Sequence, residues 1–183
     1  MALSKVDAVN FLTGTIPSGN IATSSLAAAA TGKFLQIVNS NNEYDTTASS
    51  TSYTDVLSGS GTTWETAITP SATSSTILVL PSLCAQPNAP ASGHQEGRGK
   101  LQLMAKTGAG AYASLNQLIY AGAYDYGASG IVFGWHWTAP YLHSPSTTSA
   151  VTFKFQAAIE SNGDSVVINN LGFSRIQLIE VGS

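Results

Sequence analysis

Apolar and polar residues alternate over short stretches of the chain from residue 33 onward, and Ser, Thr, Gly or Pro separate these stretches. A period of two is typical of β-strands with one buried face. The pattern predicts strands at 33–38, 53–57, 64–68, 76–83, 100–106, 114–120, 131–138, 151–159, 165–169 and 175–181. We therefore predict an all-β fold, a jelly-roll-like antiparallel β-sandwich that spans residues 33–183.

Three local features refine this prediction. Residues 76–83 form the most continuous apolar run and predict a central strand, although Pro81 favours an edge or a bulge at that point. Residues 86–99 contain two prolines and three glycines, which predict a long loop. Asn162 and Gly163 lie between two strand patterns and predict a hairpin turn.

Residues 1–32 lack the alternation and form a separate N-terminal arm in this interpretation. The apolar residues of the arm are too widely spaced to form a core of their own, so we expect another protein surface to cover them. They are Leu3, Val6, Val9, Phe11, Leu12, Ile16 and Ile21. Addition of the arm as a strand to the sheet edge of a neighbour would attach the protein to a larger particle.

Composition narrows the function classes. Charged residues make up 9% of the chain, against about a quarter in an average soluble protein. The net charge is −3 and the seven Lys and Arg are scattered, which argues against nucleic acid as a partner because phosphates need a basic stripe. The chain has no apolar run of about 18 residues, so we expect no membrane span, and the N-terminus does not have the pattern of a secretory signal.

Residues that could carry chemistry do not form a known motif. The single cysteine, Cys84, lies in an apolar run and is expected to be a buried, unreactive thiol. His136 and His143 have no Cys or carboxylate at ligand spacing, so we expect no metal and no cofactor. The glycine-rich residues 93–100 lack the spacing of a phosphate-binding loop, and no Gly-x-Ser-x-Gly elbow is present. The sequence therefore predicts a protein that is not an enzyme.

Aromatic residues are concentrated between residues 120 and 141. Aromatic side chains are enriched at protein interfaces, so we interpret this cluster as core or subunit interface; contact with a glycan is the alternative. The candidate contact residues are Tyr124, Tyr126, Trp135, Trp137 and Tyr141.

Several stretches resemble small structural proteins of tailed bacteriophages. They are GTIPSGNI (14–21), ATGKFLQIV (30–38), SSTSYTDV (49–56), ITPSATSSTILV (68–79) and RIQLIEV (175–181). In that group an extended N-terminal segment leads into a β-sandwich, often trimeric, on the head surface or on tail fibres. The resemblance therefore implies a homotrimer located in the virion and assembled in the host cytoplasm.

Two particle locations follow from the resemblance. A capsid decoration (cement) protein would bind the major capsid protein through its arm, and this expectation is favoured because the chain has an arm and a domain but no shaft. A tail fibre or tail-tip receptor-binding protein would contact tail components and a host surface glycan. A third alternative is a carbohydrate-binding module or lytic enzyme carried on the particle.

Overall fold

The computed structural model describes residues 33–88, 96–124, 135–160, 165–170 and 172–182. All regular secondary structure in these ranges is β-strand, arranged in two antiparallel sheets that pack as a β-sandwich. The predicted all-β antiparallel sandwich is confirmed. No helix among these residues is long and apolar enough to cross a membrane.

The chain contributes twelve strands to the two sheets within the described ranges. The seven-stranded sheet contains β1 (Phe34–Asn42), β2 (Thr46–Ala48), β5 (Thr76–Asn88), β8 (Trp135–Trp137), β9 (Tyr141–His143), β11 (Ser165–Ile168) and β12 (Ser174–Val181). The five-stranded sheet contains β3 (Thr54–Asp55), β4 (Glu65–Ile68), β6 (Glu96–Thr107), β7 (Ala113–Tyr124) and β10 (Val151–Ile159).

The long strand β5 organises the first sheet. Its N-terminal half pairs with β12 and β9, and its C-terminal half pairs with β11 and β8. Strand β1 pairs with β12, and β2 pairs with β11. In the second sheet β10 pairs with β3, β4 and β6, and β7 forms a hairpin with β6.

Successive strands mostly change sheet, so the chain winds around the core. When β1 and β2, β3 and β4, β8 and β9, and β11 and β12 are each counted as one interrupted strand, each sheet has four strands. Eight strands in two sheets is the strand count of a jelly roll. The jelly-roll part of the fold prediction stays a prediction.

The core lies between the sheets and is built from alternate residues of the facing strands. In β10, Phe153 and Phe155 point inward and are buried, whereas Lys154 and Gln156 point outward. Trp64 packs against Phe155 with ring centroids 5.5 Å apart, and its Nε1 donates to Ser40 Oγ at 2.9 Å. Inward and outward side chains of β10 thus alternate with the period of two of a strand that has one buried face.

Two local predictions were wrong, and the one for residues 76–83 was not. Strand β5 is central, as predicted, and Pro81 is paired with Ile176 at a point between the β5 segments that pair with β9 and with β8. Only one partner strand therefore runs alongside Pro81 in the described part of the chain, and a residue without an N–H is accommodated there. Residues 86–99 are not a continuous loop, because β5 extends to Asn88 and β6 begins at Glu96.

The second error concerns the predicted hairpin. Asn162 and Gly163 lie outside the described residues, but the strands on either side of them, β10 and β11, belong to different sheets. The strands that this connection joins therefore do not form a hairpin. Turn residues favour a local reversal of the chain, but they do not determine which strands pair. Strands β2 and β9, of three residues each, were not predicted.

Candidate functional site

An aliphatic row crosses the outer face of the seven-stranded sheet. Ile37 of β1 is opposite Ile179 of β12, Ile179 is opposite Leu78 of β5, and Leu78 is opposite Leu142 of β9. Ile37 is 53% exposed and Leu142 is 60% exposed, whereas Ile179 between them is buried (7%) and Leu78 is half-buried. The neighbouring row on the same four strands points inward, with Leu178 and Val79 fully buried in the core. The sheet is thus apolar on both sides at this end.

The rest of this outer face is polar but almost uncharged. Gln177 donates to Asn39 Oδ1 at 2.9 Å, and Arg175 Nε donates to Asn41 Oδ1 at 3.1 Å. The Arg175 guanidinium also lies over the Phe173 ring, 5.7 Å from its centroid. These cross-strand pairs place amide groups beside the aliphatic row.

The outer face of the five-stranded sheet carries a network of charged and amide side chains around Asp55. Lys154 Nζ donates to both carboxylate oxygens of Asp55 at 2.7 and 2.8 Å, and Gln156 Nε2 donates to Oδ1 at 2.7 Å. Thr63 donates to Oδ2 at 3.0 Å. Partial burial alone would raise the pKa of Asp55, but these hydrogen bonds lower it below its usual value. The carboxylate is fixed and ionised at neutral pH.

Tyr112 lies between two lysines of this network. Lys154 Nζ is 4.2 Å and Lys106 Nζ is 4.6 Å from the centroid of the Tyr112 ring, distances typical of cation–π contacts. Burial and the nearby Glu65 carboxylate raise the pKa of Tyr112, so its hydroxyl remains protonated. A general base or nucleophile needs a pKa near the working pH, and this tyrosine is therefore a packing residue of the charged face.

A buried carboxylate lies inside the seven-stranded sheet. Glu180 of β12 is fully buried and accepts hydrogen bonds from Ser71 N at 2.7 Å, Ser71 Oγ at 2.6 Å and Gln36 Nε2 at 2.7 Å. Burial would raise the pKa of Glu180, but the hydrogen bonds, with those of Ser71 foremost, lower it to about 2. All of these donors are neutral. Glu180 thus ties β1 and the segment after β4 to β12, which is a structural role.

Two open clefts flank the segment that joins β1 to β2. One has a volume of about 420 Å³ and is lined in part by Asn41, Glu43 and Tyr44. The other has a volume of about 530 Å³ and is lined in part by Tyr53 and Asp55. In the second cleft the oxygens of Asp55 already accept bonds from Lys154, Gln156 and Thr63, which leaves this carboxylate little capacity for a ligand.

The predicted aromatic contact residues are only partly described. Tyr141 is half-buried and packs against the core, in agreement with the core interpretation. Trp135 and Trp137 lie on β8 and Tyr124 lies on β7, but their side chains are outside what the structure describes. Tyr126 and the seven apolar residues of the arm lie outside the described residues. A common surface for the five aromatic residues therefore stays a prediction.

The histidines and the cysteine are placed by their pairing with β5. His136 is opposite Cys84, whereas His143 is opposite Ile77. Seven residues of an extended strand separate these two positions by about 23 Å, so the two histidines do not share a metal ion. His143 packs edge-on against Phe153 with ring centroids 5.6 Å apart, and burial lowers the pKa of this histidine.

Cys84 is buried, as predicted. Its neighbourhood in space includes His136 and Gly172, a proximity that the spacing in sequence did not indicate. No group of three or more His, Cys, Asp or Glu within the described part of the chain could hold a metal ion.

The sequence analysis did not single out the aliphatic row or Glu180. Strand β12 carries a signal for both, because its alternation of inward apolar and outward polar residues is reversed near its C-terminal end. Ile176 and Leu178 follow the inward phase, but the next inward position holds Glu180 and the outward position before it holds Ile179. In β12 a charged residue thus occupies a position that faces the core, and the aliphatic residue before it occupies a position on the outer face. This exchange indicates polar contacts on the inner side of the sheet and apolar side chains on its outer side.

Comparisons with known proteins place the chain in no established family. No family model matches the chain, and no curated protein matches it at a significant level. A solved structure described as "Structure of infectious bursal disease virus Gt strain" matches with a TM-score of 0.31 and 11% sequence identity. The match covers 82% of this chain and 39% of that chain, so this chain spans well under half of that protein. A likeness this distant carries no conclusion about function.

Proposed function

We propose that this chain is a non-enzymatic structural protein of a bacteriophage particle. The observation that carries this proposal is the aliphatic row, which leaves Ile37 and Leu142 more than half exposed on a sheet face. Contiguous apolar surface on a small domain is typical of sites of protein–protein contact. The bacteriophage context comes from the sequence resemblance over residues 14–79 and 175–181.

The position of β1 supports attachment through the arm. Strand β1 follows directly on residues 1–32, and no other described strand than β12 pairs with it. The arm is therefore connected to an edge of the seven-stranded sheet. In the finer form of the proposal, the protein is a homotrimeric decoration protein whose arm binds the head shell, and the tail-fibre location is the alternative.

Localisation on purified particles tests the proposal. Antibodies against the β-sandwich, coupled to gold, should label particles of the bacteriophage that encodes this sequence, and a low-resolution map should show the domain at regular positions on the head. Labelling confined to the tail would select the tail-fibre alternative. Particles that lack the protein after density-gradient purification would contradict the proposal in either form.

A truncation tests the role assigned to the arm. A variant without residues 2–30 should keep the β-sandwich, with a nearly unchanged melting temperature, and should fail to bind particles depleted of the wild-type protein. The matched control is a variant with residues 2–30 replaced by a Gly/Ser segment of equal length. Full occupancy of particles by the truncated protein would place the anchor in the domain instead.

Absence of enzymatic activity is part of the proposal and has its own test. The full chain should leave esterase, glycosidase and peptidoglycan substrates unchanged in overnight incubations. Turnover that a single point substitution abolishes would replace the structural proposal with the lytic-enzyme alternative.

A further inference from the structure

We propose that a second copy of this chain packs on the outer face of the seven-stranded sheet, centred on the aliphatic row of Ile37, Ile179, Leu78 and Leu142. This inference assigns a face to pairwise self-association, a two-fold contact that is separate from the three-fold contact of the proposed homotrimer. It does not depend on where in a particle the protein lies.

The face has the anatomy of a protein interface. The aliphatic row forms an apolar centre, and Asn39, Gln177 and Asn41 form a polar margin on the same strands. Charged residues are depleted at interface cores relative to other surface. Arg175 is the only charged side chain that the described strands direct outward on this sheet, and it is held by Asn41 and Phe173.

The edge of the sheet strengthens the argument that the face is covered. Strand β1 has nine residues, and its exposed hydrophobic residues include Phe34 (66%), Leu35 (47%) and Ile37 (53%). A long edge strand with apolar side chains is prone to uncontrolled association unless a partner or charges protect it. No Lys, Arg, Asp or Glu occurs in β1, so protection by charge is absent from this strand.

The size of the face is suited to a partner protein. With strands spaced by about 4.8 Å, lengths of about 30 Å for β1, about 27 Å for β12 and for the facing part of β5, and about 10 Å for β9 give a footprint of about 450 Å². A standard interface buries about 800 Å² on each partner. The described face thus provides more than half of the area that a stable pair of subunits needs.

The chemistry of the face favours a copy of itself as the occupant. Aliphatic side chains are complementary to one another, and Asn and Gln amides both donate and accept hydrogen bonds. Two such faces can therefore meet without opposing like charges. A partner that carries a charged patch would have its charges desolvated against this face without compensation.

The test compares the mass of the full chain with that of two lysine variants by light scattering at about 10 μM. Wild-type protein should have the mass of a dimer or larger oligomer, and Ile37→Lys/Leu142→Lys should have the mass of a monomer with an unchanged far-ultraviolet spectrum. Tyr44→Lys is the matched control, because Tyr44 is an exposed hydrophobic residue (41%) in the turn after β1 and away from the row. This control should keep the wild-type mass.

Cysteine crosslinking tests the inference even if the double lysine variant fails to fold. Leu142→Cys should give crosslinked dimers with a short bismaleimide, whereas Ala67→Cys, exposed on β4 of the other sheet, should give none. A monomeric wild-type protein at about 100 μM, a double variant that keeps the oligomer mass, or equal crosslinking at both cysteines would each overturn the inference.

These outcomes separate the inference from the proposed function. A monomer that still labels particles would show that a particle protein, not a second copy, covers the face. An oligomer that never occurs on particles would leave the inference standing and contradict the proposed function.

Discussion

The outer faces of the two sheets carry different kinds of side chain, although the strands of both sheets show the same alternation of buried and exposed residues. On the five-stranded sheet, Lys154, Gln156 and Thr63 surround Asp55, and Lys106 approaches Glu65 to 3.7 Å. On the seven-stranded sheet the outward positions of β1, β12, β5 and β9 are mostly aliphatic or amide, Arg175 is the charged exception among them, and the carboxylate of β12 points inward. The first face is occupied by its own cross-strand pairs. The second leaves Ile37 and Leu142 more than half exposed, and we propose that a second copy of the chain covers them.

The comparison also separates two kinds of carboxylate. Glu180 is fully buried and has three short hydrogen bonds from neutral donors. Glu65 is on the surface, with one long contact to Lys106. Hydrogen bonds to buried charged groups stabilise a fold far more than surface ion pairs do. The stability of the domain should therefore depend on the less charged sheet.

The largest expected effect is the loss of Glu180. Glu180→Ala removes the common acceptor of three hydrogen bonds from Ser71 and Gln36 and should lower the free energy of unfolding by about 3 kcal/mol. The control Glu65→Ala removes a solvent-exposed pair and should cost about 0.5 kcal/mol or less. Urea unfolding followed by Trp fluorescence measures both. Equal losses of unfolding free energy for Glu180→Ala and Glu65→Ala would contradict the conclusion that stability depends on the less charged sheet.

This residue also shows how far sequence reasoning reaches. The period of two predicted most strands, because burial on one face of a strand imposes that period. It could not predict that Glu180 finds Ser71 and Gln36, since these partners come from β1 and from the segment after β4. The local pattern determines which residues alternate. The pairing of distant strands determines which residues lie next to a position that breaks the pattern.

The candidate surface follows the same rule. Ile37, Ile179, Leu78 and Leu142 come from four strands and form a row only through the register of β1, β12, β5 and β9. Strand β9 was not predicted from the sequence, because three residues are too few to show a period. The row was therefore visible only after the strands were paired.

The second prediction concerns a close approach of β6 to β11 across the two sheets. A Cβ at Gly99 of β6 would lie 2.8 Å from Val166 Cγ2 and 2.9 Å from Val166 Cβ of β11. Valine has little rotamer freedom to move away, so Gly99→Ala should lower the free energy of unfolding by about 2 kcal/mol.

Two further variants check the cause of that loss. Gly59→Ala has no atom within 4 Å of the new Cβ and should stay within about 0.5 kcal/mol of wild type. Gly99→Ala/Val166→Ala should be more stable than the sum of the two single changes, because Val166→Ala removes the methyl group nearest to the new Cβ, although Val166 Cβ remains 2.9 Å away. A double variant less stable than the sum of the single changes would show that the strain lies elsewhere.

The third prediction is a loss of stability in acid that comes mainly from the seven-stranded sheet. The pKa of Glu180 is lowered from 4.5 to about 2, and the pKa of Asp55 is lowered to a smaller extent. A carboxyl whose pKa is lower in the folded state binds fewer protons there than in the unfolded state. Its stabilising contribution is complete above the unfolded pKa and is lost as the pH falls toward the folded pKa.

Urea midpoints at pH 7, 4 and 3 measure this dependence. The midpoint of the wild-type protein should fall between pH 4 and 3, and that of Glu180→Gln should fall less over the same interval. Asp55→Asn should flatten the curve by a smaller amount, because its carboxylate is partly exposed to solvent. A wild-type midpoint that is the same at pH 3 as at pH 7 would contradict the assigned ionisation of Glu180.

The smallest expected effect distinguishes the two faces by their response to salt. Glu160 contacts Arg98 at 3.5 Å and Lys100 at 3.4 Å on the charged face, so Glu160→Gln should cost about 0.5 kcal/mol at low ionic strength. That cost should shrink in 1 M NaCl, where the screening length is about 3 Å. Association through the aliphatic row involves no ion pair, so the oligomer mass should persist in the same salt. The two measurements on one protein sample compare ion pairs, which salt screens, with an apolar contact, which salt does not screen. If high salt dissociated the oligomer while leaving the cost of Glu160→Gln unchanged, the charged face would be the site of self-association, and the assignment of the two faces would have to be exchanged.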